Sequence, residues 1–175
     1  MSVLFVDESK TKGYTMVAAI VADDAVPALR RDVRSLVLPG QRRIHFTKER
    51  DKRKRLILSR LADLGVRAQV FYCAAKSAVV GREVCLTAIV AHAVEHKCFR
   101  IVFERDESTE RADRKFLYGE VRKRGLADVF KYDFKASHDE PLLWIPDAIA
   151  WSHVKGGDWK RRTKPLVDGF EELSL

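Results

Sequence analysis

The chain has 175 residues, 46% hydrophobic and 33% charged, a profile that excludes disordered and fibrous chains and fits one soluble domain over residues 1–175. At this size roughly 70% of the surface of the unfolded chain is buried, so neither disulfides nor a structural metal is needed to complete a core. The 33 Lys plus Arg against 25 Asp plus Glu leave a net charge of +8, which points toward a polyanionic partner, nucleic acid before others.

Val3-Leu4-Phe5-Val6 is a continuous apolar run ending in Asp7-Glu8-Ser9, the pattern of a central strand covered on both faces. Tyr14 to Val21 predicts a second strand, so close behind Gly13 that the two form an antiparallel hairpin. Asp23 and Asp24 offer an N-cap, after which Val26, Leu29, Val33, Leu36 and Val37 recur at helical spacing up to Pro39-Gly40. Residues 49–64 predict a second, very basic helix stopped by Gly65, and Val66 to Ala75 alternates as a third strand. Val79 to Lys97 is apolar nearly all round, as in a buried helix, and Phe99 to Phe103 predicts a fourth strand running into Glu104-Arg105-Asp106-Glu107. A helix from Thr109, with the stripe Ala112, Phe116, Leu117 and Val121, ends at Gly125 before a fifth strand at Val129 to Lys135. Pro141 opens a last helix reaching Val154 and ended by Gly156-Gly157. Residues 158–175 read as a basic tail without regular structure before Pro165.

The longest apolar stretch, Val79 to Val94, is interrupted by Arg82 and Glu83 and is too short to span a membrane. Asp7 and Glu8 stand where a secretory signal needs its apolar segment. Cys73, Cys85 and Cys98 lack a C-x-x-C pair and read as buried thiols of a reducing compartment. A cytoplasmic protein with no membrane partner is expected. The order of elements predicts an α/β fold: a mixed five-stranded sheet, three antiparallel strands followed by parallel crossovers, with helices on both faces. That order matches the ribonuclease H fold.

In an open sheet a ligand sits outside the carboxyl ends of the parallel strands. Asp7 ends the first strand, while Glu104 and Asp106 end the fourth, two apart and so on one side while the strand persists. Asp147 interrupts the apolar run Leu142 to Ala150, where an acid needs a partner. Taken singly, each acid could be a loop cap or half of an ion pair. Clustered in one crevice they would repel unless a cation neutralised them, and Mg²⁺ or Mn²⁺ is held by a few carboxylates. Two such ions activate a water and stabilise the leaving oxygen of a phosphodiester.

Val6-Asp7-Glu8-Ser9, Ile44-His45-Phe46, Val102-Phe103-Glu104-Arg105-Asp106, and Ser137 followed by Leu143-Trp144-Ile145-Pro146-Asp147-Ala148-Ile149-Ala150 together resemble the RNase H-like family known as domain of unknown function 3800 (DUF3800). The resemblance spans nearly the whole chain. It implies that Asp7 and Asp147 are metal-binding acids of a nuclease, with Glu104 or Asp106 as the strand-four acid and Glu104 the favoured one. Two departures stand out. The family usually has Gly after Asp-Glu-Ser and Gln-hydrophobe-Ala before the late Asp, where this chain has Lys10 and Trp144-Ile145-Pro146. Glu8, next to Asp7, falls on the opposite face of a regular strand and ranks below it as a ligand. Glu83 reads as a helix-surface charge. The resemblance also gives His138, in the loop before the last helix, a place in proton transfer beside Asp147.

His92-Ala93-Val94-Glu95-His96 fits H-x-x-E-H, the inverted zinc-protease pattern. Those proteases are large chains with a further ligand on a long downstream helix, for which there is no room here, so these residues read as the polar end of a buried helix. Basic residues cluster at 42–55, at 111–124 and at 155–164. Arg42, Arg43, His45, Lys48, Lys52 and Arg53, with Lys160 and Arg161 on the tail, are candidates for contact with nucleic acid, RNA or DNA. Trp144 and Trp151 read as packing aromatics, and Trp159 beside Lys160-Arg161-Arg162 is the one placed to stack on a base. Two readings follow: a Mg²⁺- or Mn²⁺-dependent nuclease with Asp7, Glu104 and Asp147 as ligands, supported by Asp106 and His138, or a non-catalytic module that binds nucleic acid or a protein. A homodimer is the base-rate expectation for assembly.

Overall fold

A computed structural model describes residues 1–175. Twelve elements follow in order: β1 (Ser2–Ser9), β2 (Tyr14–Ala22), α1 (Val26–Arg34), α2 (Asp51–Asp63), β3 (Arg67–Cys73), α3 (Ala78–Glu95), β4 (Arg100–Glu104), α4 (Glu110–Lys123), β5 (Lys131–Lys135), α5 (Trp144–Lys155), α6 (Gly157–Arg162) and β6 (Val167–Leu173). The strands form one sheet in the order β5-β4-β1-β2-β3-β6. β1, β2 and β3 pair antiparallel, while β4 lies parallel to β1, β5 to β4 and β6 to β3.

The sheet has six strands rather than the expected five. The sixth, β6, comes from the C-terminal tail beyond Pro165, and the stretch before Pro165, expected to be irregular, folds into α6 and enters a short 3-10 turn. Strand periodicity is hidden there because Val167-Asp168-Gly169-Phe170-Glu171-Glu172-Leu173 lies on an edge, where water satisfies charged side chains. Asp23 and Asp24 form a 3-10 turn instead of capping α1, and α1 ends at Arg34, before Leu36 and Val37.

Alternation along the central strands divides the core in two. Val3, Phe5, Val17, Ala19, Val70 and Val102 face α1, α2 and α5, while Leu4, Val6, Met16, Ala18, Phe71 and Phe103 face α3 and α4. α3 lies unusually close to β2: a Cβ on Gly81 would sit 2.6 Å from Tyr14 Cβ. The next residue, Arg82, is buried and donates to Asp113 (2.7 and 2.6 Å), to the Tyr14 hydroxyl (2.7 Å) and to Glu8 (2.8 Å), joining α3, α4, β2 and β1. No helix is long and apolar enough to cross a membrane. All three cysteines are free and buried.

Candidate active site

β1 and β4 run parallel with Val6 level with Phe103. Asp7 and Glu104 are the next residue on each strand, so both side chains leave the sheet on the face of Phe5 and Val102, the face that α5 covers. α5 adds Asp147 from its first turn. Three elements distant in sequence thus bring three carboxylates into one crevice of about 540 Å³, lined by six acids (Asp7, Glu8, Glu104, Asp106, Glu107, Asp147), two bases (Lys10, Arg105) and no hydrophobic residue.

Each carboxylate has one fixed contact. Asp7 Oδ1 accepts the Glu8 backbone N–H at 2.7 Å, Asp147 Oδ2 accepts the Phe46 N–H at 3.2 Å, and Arg43 Nη1 donates to Glu104 Oε1 at 3.3 Å. These contacts do not offset burial. Asp7 is held well above the usual carboxylate range, first by burial and then by the charges of Glu104, Asp147 and Glu8. Burial pushes Asp147 up to about 6; the charge of Glu104 adds to the rise, while the Phe46 N–H and Arg43 oppose it. Acids in this state ionise together only beside a compensating cation, and an all-oxygen donor set suits hard ions such as Mg²⁺ or Mn²⁺.

The remaining candidates are sorted by where their elements place them. Glu8 turns to the opposite face, as strand alternation requires, and accepts from Arg82; burial raises its pKa although Arg82 opposes the rise. It reaches the crevice wall already paired with Arg82. β4 ends at Glu104, so Asp106 lies in the following loop, accepting from Ser108 N–H (3.0 Å) and Oγ–H (2.6 Å) with Lys10 beyond, and these contacts hold its pKa low. It is a loop cap at the rim. His138 is outside the crevice lining, its Nε2 3.4 Å from Asp139. Glu83 is exposed on α3.

Arg43 lies against Glu104 and His45 within reach of its charge; burial and the neighbouring Arg43 and Lys48 lower the His45 pKa, and its Nδ1 is buried without a hydrogen-bond partner. Arg42, Lys48 and Lys52 are exposed. Arg53, by contrast, is a structural brace, donating to the Leu36 carbonyl at 2.6 Å and to Glu49. Lys160 and Arg161 lie on α6 away from the crevice, Lys160 over the Phe170 ring and Arg161 paired with Asp158. Trp159 packs edge-on against Trp151 at a centroid distance of 5.3 Å, and so is not a free stacking platform. Sequence reasoning missed the Arg82 hub; its one trace was a cation in the apolar run of α3.

No protein-family model matches the chain, and no curated protein matches it. Among solved structures it resembles the PCNA:RNase HII complex from Archaeoglobus fulgidus, at 12% identity and a TM-score of 0.59, over 89% of this chain and 73% of that one. The fold is RNase H-like. Within this RNase H-like sheet the acidic crevice lies at the carboxyl ends of the parallel strands β1 and β4, where open α/β sheets place their ligands.

Proposed function

We propose that this RNase H-like chain is a divalent-metal-dependent nuclease hydrolysing phosphodiester bonds of RNA or DNA, with Asp7, Glu104 and Asp147 as ligands of Mg²⁺ or Mn²⁺. One observation carries the reading: three carboxylates from β1, β4 and α5 meet in a crevice without an apolar wall, two of them with pKa values raised by burial and by the neighbouring carboxylates. The resemblance to DUF3800 points to the same acids. Bound there, the metal would supply an activated water and charge stabilisation for the leaving oxygen.

The chain's own groups do the positioning. The Glu8 and Phe46 N–H groups each hold one oxygen of Asp7 and Asp147, which fixes both side-chain rotamers. Arg43 offers a guanidinium beside Glu104 that can exchange the carboxylate for a substrate phosphate. Lys10 and Arg105 add positive charge at the rim, and exposed Arg42, Lys48 and Lys52 extend it for backbone contacts that position without reading sequence.

The test is cleavage of labelled single-stranded and duplex RNA, single- and double-stranded DNA and an RNA/DNA hybrid in Mg²⁺, Mn²⁺ and EDTA. Cutting is expected with metal, none in EDTA, and a loss of at least about a hundredfold, or roughly 2.7 kcal/mol, in Asp7→Asn and Asp147→Asn. If no substrate is cut while nucleic acid still binds in EDTA, the chain is a non-catalytic binding module instead.

A further inference from the structure

The last turn of α3 carries a second group of donors, on the helix that covers the sheet face opposite the acidic crevice. His92, Glu95 and His96 each present a ligand atom, and the three atoms lie within 4.8 Å of one another. Spacing of three and four residues puts them on one side of the helix. The imidazole rings of His92 and His96 are 4.1 Å apart, centroid to centroid, and the His92 ring meets Phe71 edge-on at 5.6 Å.

The tautomer of the neutral His96 ring follows from its contact. Its Nδ1 lies 2.9 Å from the His92 carbonyl oxygen; because a carbonyl only accepts, Nδ1 carries the proton and Nε2 of the neutral ring keeps its lone pair. Metal-binding imidazoles are oriented by such a bond from the second nitrogen to a backbone carbonyl. The backbone beneath is fixed as well. Lys97 N–H donates to the Val94 carbonyl (3.1 Å) and Cys98 N–H to the Ala93 carbonyl (2.7 Å), with Lys97 in the left-handed region at φ +55°. This double reverse bond locks the helix end. Glu95 and His96 are exposed and His92 half-buried, so an ion reaches the donors from solvent.

We propose that His92, Glu95 and His96 form a surface site for one transition-metal dication of the Zn²⁺, Co²⁺ and Ni²⁺ class, with the remaining coordination positions open. Two imidazoles and a carboxylate favour these ions over Mg²⁺. Side-chain rotation closes the present spread to the roughly 3.3 Å between neighbouring ligands of a tetrahedral ion. The site is independent of the nuclease reading and needs none of the crevice acids.

The test titrates EDTA-stripped protein with Zn²⁺ by calorimetry and with Co²⁺ by visible absorption, in the wild type, Asp7→Asn, Glu95→Gln and His92→Ala/His96→Ala. One equivalent with a Co²⁺–nitrogen spectrum is expected in the wild type and in Asp7→Asn. Glu95→Gln, an exposed change that leaves the helix end intact, should weaken it about tenfold or more, and the double histidine variant should lose it. Equal binding in the double histidine variant, or an equivalent lost only in Asp7→Asn, overturns the proposal. So does a wild type that binds no Zn²⁺, which leaves the His96 contact as a helix cap alone.

Discussion

Asp147 is an acid set among Leu142, Ile145, Ala148 and Ile149, with the Phe46 N–H as its hydrogen-bond donor. Its pKa rises from the usual 3.8 to about 6, so between those values the folded chain keeps a proton that the unfolded chain has released. Stability of the metal-free protein therefore falls as pH rises through this window, by up to about 1.4 kcal/mol per unit from this group. Asp147→Asn keeps an acceptor for Phe46 and removes the charge. In urea unfolding it is expected to match the wild type near pH 4 and to exceed it at pH 7, with Mg²⁺ narrowing the gap only for the wild type; an equal midpoint at pH 7 would remove the argument. At this scale the sequence shows which acids are out of place, Asp7 at a strand end and Asp147 in an apolar run. It does not show side-chain direction in loops, which is why His138 turns to Asp139 and why the Arg43–Glu104 pair, 61 positions apart, was invisible.

Between elements, the contact of α3 with β2 rests on the missing side chain of Gly81. Gly81→Ala places a methyl group 2.6 Å from Tyr14 Cβ, and overpacking of this kind costs about 1–3 kcal/mol. The expected outcome is a lower urea midpoint with the helical signal retained, and an unchanged midpoint would mean that α3 can shift without cost. The helix itself is legible from its continuous apolar run. The reason for Gly81 is not, since Tyr14 is far upstream, and neither is the purpose of Arg82, whose partners Glu8, Tyr14 and Asp113 are 74, 68 and 31 positions away. β1 to β5 were readable because core-facing residues alternate or run together, whereas β6 has its pattern diluted by Asp168, Gly169, Glu171 and Glu172.

Across the whole molecule, the sheet separates the carboxylate crevice from the histidine cluster of α3, one on each face. Its extent depends on the C-terminal segment, because β6 covers the outer edge of β3 and Leu166 is fully buried beneath it. Removing residues 164–175 is expected to cost at least about 2–5 kcal/mol, the range for losing one large buried aliphatic side chain, and to promote self-association seen by analytical ultracentrifugation. A monomer of unchanged thermal midpoint would show β6 to be dispensable. The same pairing sets a problem of timing. A ribosome delivers β3, ending at Cys73, long before Val167 begins its partner. Throughout that interval the apolar run Val70-Phe71-Tyr72-Cys73 presents open backbone groups to every neighbouring nascent chain on the same message. Once β6 docks, its acidic side chains replace that sticky margin with one that other strands are repelled from, so the hazard belongs to translation and ends with it.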